Sequence, residues 1–140
     1  MTPRDTRTGD VLERTIIPAL QLGGYEYERQ KVIGNRLGAG KHKVDLLATK
    51  NREKIPVSLK WQQVSGTAEQ KVPYEIICLA HSIAESGGRF KKAYLVLGGP
   101  GWKLRDFYVS GGLQKYLVGC DSVKVVTLED FIAKANSASL

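Results

Sequence analysis

His42-Lys43-Val44-Asp45-Leu46-Leu47-Ala48, a polar turn, and Ile55-Pro56-Val57-Ser58-Leu59-Lys60-Trp61 decide how this chain folds. Both stretches are short, aliphatic and alternating, and the turn between them is polar, so they read as two adjacent antiparallel strands. Counting back from a turn at Asn51-Arg52-Glu53 pairs position 45 with position 60. Side chains alternate with period two, which puts Asp45, Ser58 and Lys60 on one sheet face and Val44, Leu46, Val57, Leu59 and Trp61 on the other. The hairpin thus places an acid beside a lysine.

Upstream, Leu12, Ile16, Ala19 and Leu20 recur at helical spacing, predicting a helix over 8–22 with Asp10 as N-cap and Glu13 three residues on. Pro18 should kink or break it near Ile17. The aromatic and β-branched run from Tyr25 to Ile33 predicts a first strand, and 34–41 a glycine-rich loop leading into the acid strand. Downstream, 64–67 reads as a loop. Pro73 suits the first turn of a helix reaching about Glu85, with Val72, Ile76, Leu79, Ala80 and Ile83 as its core stripe. Ala93–Leu97 has the pattern of a strand covered on both faces. A helix over 106–117 is interrupted by Gly111-Gly112, and Val123–Val126 predicts a last strand. Thr127 caps a final helix through Lys134, with Glu129 and Asp130 in its first turn. Residues 136–140 are expected to fray.

The expected architecture is α/β: a mixed sheet, three antiparallel strands then two more, flanked by helices. At 140 residues, one domain over 1–140 suffices. No apolar run approaches the ~20 residues of a membrane span and no secretory leader is visible, so a soluble, cytoplasmic protein is expected. Cys78 and Cys120 lie far apart among apolar neighbours, predicting buried free thiols; without CxxC or a Cys/His cluster, zinc is not implied. The net charge is +7. Such an excess favours a polyanionic partner through counterion release.

An acid and a lysine across a hairpin are ordinarily a surface ion pair. Here the acid strand, the lysine strand, the preceding helix with Glu13 and the following helix occur in an order that resembles the PD-(D/E)XK nuclease superfamily, over roughly 8–97. The resemblance implies a restriction-endonuclease-like fold and a Mg²⁺-dependent endodeoxyribonuclease, with Mn²⁺ as a substitute. In that reading Asp45 and the Leu59 carbonyl hold metal while Lys60 positions the attacking water or neutralises developing charge. A restriction- or homing-type enzyme is the first expectation. A Holliday junction resolvase and a noncatalytic nucleic-acid-binding protein on the same fold are the alternatives.

One slot departs from the family. The residue two before the lysine is normally Glu, Asp or Gln, and here it is Ser58, a poor ligand for a hard cation. In a restriction-enzyme branch of the family a serine stands there and the carboxylate comes from the next helix; Glu75, fifteen residues after Lys60, fits, and Glu69 is the other candidate. A second possibility is a one-carboxylate site completed by Glu13 and Gln62, and a third is an inactive nuclease. Each candidate has a plainer role open to it: Glu13 in a capping box, Glu75 paired with Lys71 one turn earlier, Gln62 as a polar strand end, Trp61 in the core. His42 and His81, with no partner at a telling spacing, are expected in surface or capping roles. Arg36, Lys41 and Lys43 by the acid strand, and Lys71 at the mouth of the next helix, are candidate DNA contacts. Gly98-Gly99-Pro100-Gly101 lacks any nucleotide-binding spacing. Duplex or junction DNA is the expected partner. Cutting both strands calls for two sites, hence a homodimer or a higher symmetric oligomer.

Overall fold

The computed structural model describes residues 7–38 and 40–140. Its sheet has five strands in the spatial order β1 (Glu26–Asn35), β2 (Lys41–Lys50), β3 (Glu53–Trp61), β4 (Ala93–Gly98) and β5 (Val123–Thr127). The pairs β1–β2 and β2–β3 are antiparallel; β3–β4 and β4–β5 are parallel. Parallel neighbours need crossover connections. Helix α3 (Ala68–Ala84) makes the first, and a short α4 (Arg105–Val109) with a 3₁₀ turn (Leu113–Tyr116) makes the second. The predicted interruption at Gly111-Gly112 falls between those two pieces.

Two apolar layers cover the sheet. One joins Leu46, Ala48, Ile55, Val57, Leu59, Tyr94 and Val96 to the N-terminal helical run and to α5 (Leu128–Asn136). The other joins Ile33, Val44, Leu47, Leu95 and Leu97 to Val72, Ile76 and Leu79 of α3. All six residues of β4 are buried, as its uninterrupted apolar run requires of a central parallel strand. Cys78 and Cys120 are buried free thiols. No helix among the described residues is long and apolar enough to cross a membrane.

The N-terminal run consists of α1 (Arg7–Val11), a π-helical turn (Leu12–Ile16) and α2 (Ile17–Leu22). Pro18 explains the wide turn. It lacks an N–H and its ring would collide with the carbonyl four residues back. The chain widens instead, with the Ile17 N–H donating to Leu12 O across five residues. The run therefore continues past Pro18 rather than breaking. Asp10 lies inside α1 and pairs with Arg14 at 3.4 Å, so it is not the predicted N-cap. Helix α3 also differs: it begins at Ala68, five residues ahead of Pro73.

The hairpin register differs from the count by two. Its loop has two residues, Asn51 and Arg52, both at positive φ (52° and 67°), and Lys50 pairs with Glu53. That is the handedness a two-residue hairpin turn demands. The ladder runs to Leu46↔Val57, which brings Asp45 level with Ser58 rather than Lys60. A shift of two preserves the face, so the three residues remain neighbours.

Alternation does slip on β2. His42 and Val44 face α3, yet so does Leu47, while Leu46 and Ala48 face the opposite layer. The change of phase falls at Asp45. On β1, Gln30 has φ 52° between the rungs Arg29↔Leu46 and Lys31↔Val44, so β1 departs from extended backbone at the same level. Val44 consequently does not share a face with Leu46 as predicted. Residues 136–140 are not frayed either. The Leu140 N–H donates to the Tyr25 hydroxyl at 3.1 Å, Lys92 reaches Leu140 O at 2.8 Å, and the Leu140 side chain is buried in the first layer.

Candidate active site

Asp45 sits where β2 and β3 part beyond the Leu46↔Val57 rung. Its Oδ2 accepts the Leu59 N–H at 2.7 Å, replacing a ladder bond on β3 and fixing the carboxylate against that strand. Leu59 thus contributes its N–H, while its side chain packs in the core. Burial pushes the Asp45 carboxyl above its usual range, and nearby Glu75 adds to this. The Leu59 hydrogen bond and the charges of Lys60 and Arg29 act the other way.

Glu75 comes from α3. The buried stripe of that helix includes Glu69, Val72, Glu75, Ile76, Leu79 and Ser82, so the apolar positions are interleaved with polar ones on the face against the sheet. Glu75 is 3% exposed. Ser58 donates to its Oε1 at 3.1 Å, and His42 Nε2 lies 3.1 Å from the same oxygen. Arg36 reaches Oε2 with both terminal nitrogens, at 3.3 and 3.4 Å. Burial would raise the Glu75 pKa, but the His42 hydrogen bond and the charges of Lys60, His42 and Arg36 prevail, holding it at about 2. Glu75 is therefore anionic, with its charge in the space towards which Ser58 points. Its partners are Arg36, His42 and Ser58, not Lys71.

Lys60 acts electrostatically on both acids, yet it has no hydrogen bond or ion pair among the described residues. It is half-buried on the same stretch of β3 as Ser58. The two carboxylates, one from β2 and one from α3, are thus gathered around a lysine.

The remaining predicted residues have other neighbours. Glu13 lies in the π-helical turn and pairs with Arg29 at 2.8 Å; that side chain is mostly exposed, and Arg29 rather than Glu13 is the group that acts on Asp45. Gln62 is buried and donates to Glu69 Oε1 at 3.0 Å and Gly101 O at 2.8 Å. Its backbone brackets the turn after β4, through Gln62 N–H to Gly98 O and Gly101 N–H to Gln62 O. Glu69 accepts the N–H groups of Lys103 and Leu104 as well, so it ties α3 to the start of α4. Trp61 packs beside the first layer, as expected. Lys41, Lys43 and Lys71 are exposed.

His42 is the residue whose surroundings the sequence concealed. It is fully buried, with Nδ1 at 3.1 Å from Ser82 Oγ and Nε2 on Glu75, so the expectation of a surface or capping role is overturned. Its alternation with Val44 on the α3 side of β2 is the reason. The available signal was Glu75 and Ser82, two polar residues seven apart on one helical face, which is two turns.

A mixed sheet crossed by a helix, with an acid, a lysine and a second carboxylate at the point where two strands part, defines a nuclease-like α/β domain. The chain belongs to the family described as the PD-(D/E)XK nuclease superfamily domain, whose model matches residues 4–139. Among solved structures, it is similar to a protein of unknown function, AF1548, at 12% identity and a TM-score of 0.49, over 80% of this chain and 54% of that one. The chain thus spans about half the length of that protein. A search of curated proteins finds no match. Membership of a nuclease superfamily suggests nuclease activity.

Proposed function

We propose that this chain is a divalent-metal-dependent DNA endonuclease, cutting phosphodiester bonds at Asp45, Glu75 and Lys60. One observation carries the reading: the Glu75 carboxylate lies 3.1 Å from Ser58 Oγ, so the helix supplies an acid where the strand lacks one. This supports the arrangement with the second carboxylate on α3 over one completed by Glu13 or Gln62, which are bound elsewhere.

The family implies a cation, preferably Mg²⁺ with Mn²⁺ as a substitute, and the donors fit one. Among the described residues no three His, Cys, Asp or Glu side chains form a metal cluster. Mg²⁺ needs only one or two carboxylates and otherwise keeps its waters. Asp45 and Glu75 repel one another across a largely buried space, an electrostatic demand that Lys60 meets only in part. Asp45 would offer Oδ1, since Oδ2 is engaged by Leu59. Glu75 would offer Oε2 once Arg36 turns aside, and the Leu59 carbonyl is a further candidate. A cation held there would neutralise charge on the scissile phosphate and acidify a water.

The chain's own groups do the rest. Lys60, without a hydrogen bond or ion pair among the described residues, orients the attacking water or offsets charge developing on the phosphate. Arg36, Lys41, Lys43 and Lys71 draw the backbone of DNA to this side by charge. A site of this kind cuts one strand, so cleavage of a duplex or a junction calls for a symmetric homodimer or larger oligomer.

The test is Mg²⁺- and Mn²⁺-dependent nicking over a panel of plasmid, linear duplex and four-way junction substrates. The expected result is nicking by the wild type and its loss in Lys60→Ala, with DNA binding retained. Binding without nicking on every substrate would establish the noncatalytic alternative instead, and preference within the panel separates a restriction- or homing-type enzyme from a resolvase.

A further inference from the structure

We infer that His42 is a positioning residue for the reaction, setting which oxygen of Glu75 faces the cleft. This rests on the reading of Glu75 as a cation-holding group. The observation is a buried chain of contacts, Ser82 Oγ to His42 Nδ1, then His42 Nε2 to Glu75 Oε1, both at 3.1 Å. A carboxylate only accepts, so Nε2 carries the proton that points at Glu75, while Nδ1 meets the Ser82 hydroxyl, a group able to donate or to accept. Ser82 and Glu75, seven residues apart on α3, are spanned by one imidazole from β2. The ring can neither rotate nor exchange its nitrogens without losing a buried hydrogen bond.

Backbone packing keeps the chain of contacts close. A Cβ on Gly34 would stand 3.2 Å from Ser82 Oγ, so the absence of a side chain on β1 lets that hydroxyl sit beside the sheet. Ser58 donates to the same Oε1 as His42. Two donors therefore anchor one oxygen of Glu75 from the protein interior. The other oxygen, Oε2, is left towards Arg36, whose side chain is about one-third exposed and can move away. Anchoring Oε1 is equivalent to aiming Oε2. Groups standing one contact behind a metal-holding residue tune affinity in just this way, by fixing its orientation.

Mn²⁺ binding to the full chain, read from the electron paramagnetic resonance signal of the free ion, tests this without any cleavage assay. His42→Leu should weaken Mn²⁺ about 10–100-fold. Ser82→Ala should weaken it less, because Ser58 and the ring still contact Oε1. His42→Gln can present an amide N–H close to the Nε2 position and should stay within about threefold of wild type. A ring that merely fills the core would instead give His42→Leu a lower Tm and wild-type Mn²⁺ affinity; that result overturns the inference while leaving the site intact, provided Asp45→Asn and Glu75→Gln lose the ion. If those two variants bind as wild type does, or if wild type binds no Mn²⁺, the site assignment and the positioning role both fall. Should His42→Leu not fold, the Ser82→Ala and His42→Gln pair decides between the outcomes.

Discussion

Replacing Glu75 by Gln keeps the shape of the side chain and removes the charge that Arg36, His42 and Lys60 are gathered around. The size of the effect follows from the pKa. The folded protein holds Glu75 at about 2 against an ordinary 4.5. That difference corresponds to about 3 kcal/mol of stability from the ionised form. Because the folded value is depressed, this contribution is fully present above the unfolded value. It is lost as the pH falls from about 4.5 towards about 2. Glu75→Gln has nothing to titrate there, so it should be less stable than wild type by about 3 kcal/mol near neutral pH, and the gap should close as acid protonates the wild-type residue. Asp45 works in the opposite sense, since its raised pKa makes its ionised form a cost that acid relieves; burial, the larger cause, acts in both proteins, while the part due to the Glu75 charge is absent from the variant. Urea unfolding followed by Trp61 and Trp102 fluorescence, from neutral pH down to about pH 3, measures the gap by linear extrapolation. A gap that is absent at neutral pH, or that persists unchanged in acid, would refute an ionised Glu75 held by these partners.

Glu69→Ala should cost about 1–3 kcal/mol in the same urea assay, because Gln62 and the Lys103 and Leu104 N–H groups lose a buried acceptor; an unchanged midpoint would deny it that structural role. Arg36→Gln should weaken duplex binding and reduce the salt dependence of binding by about one phosphate's worth, while an unchanged slope would remove Arg36 from the DNA contact. Ser58→Glu restores the family's usual acid, but it sets a second carboxylate against Glu75 in a buried space. Thermal unfolding should show a loss of about 3 kcal/mol, and a variant as stable as wild type would mean that Glu75 readily vacates the slot.

The fold was largely legible because its signals are local and mutually reinforcing. The element order, the antiparallel hairpin and the buried run of β4 each follow from periodicity and turn residues in a few adjacent positions. The errors fall where a short-range rule met a particular backbone geometry. A turn centred one residue earlier than expected moved the register by two, the phase slip at Asp45 put Val44 on the α3 side, and Pro18 was absorbed by a π turn. In the site, Asp45, Ser58 and Lys60 were placed together correctly because a slip of two conserves the face. Glu75 could be named from its distance in sequence after Lys60, but its partners could not. Whether it meets Lys71 on its own helix or His42 and Arg36 across the sheet depends on which way α3 is rolled. That roll is set by Val72, Ile76 and Leu79 against the strands, a tertiary fact. The C-terminal residues were misjudged for the same reason, since Leu140 is held by Tyr25, 115 residues away in sequence.

The proposed activity requires a cation site shared by Asp45 of β2 and Glu75 of α3. It is tested most directly by the anomalous scattering of Mn²⁺ in a crystal of the wild-type chain. A single peak within coordinating distance of an oxygen from each of those two residues, with Arg36 displaced from Glu75, is the predicted result. A peak beside Glu13, or an ion on Asp45 with the Arg36–Glu75 pair still closed, would contradict it.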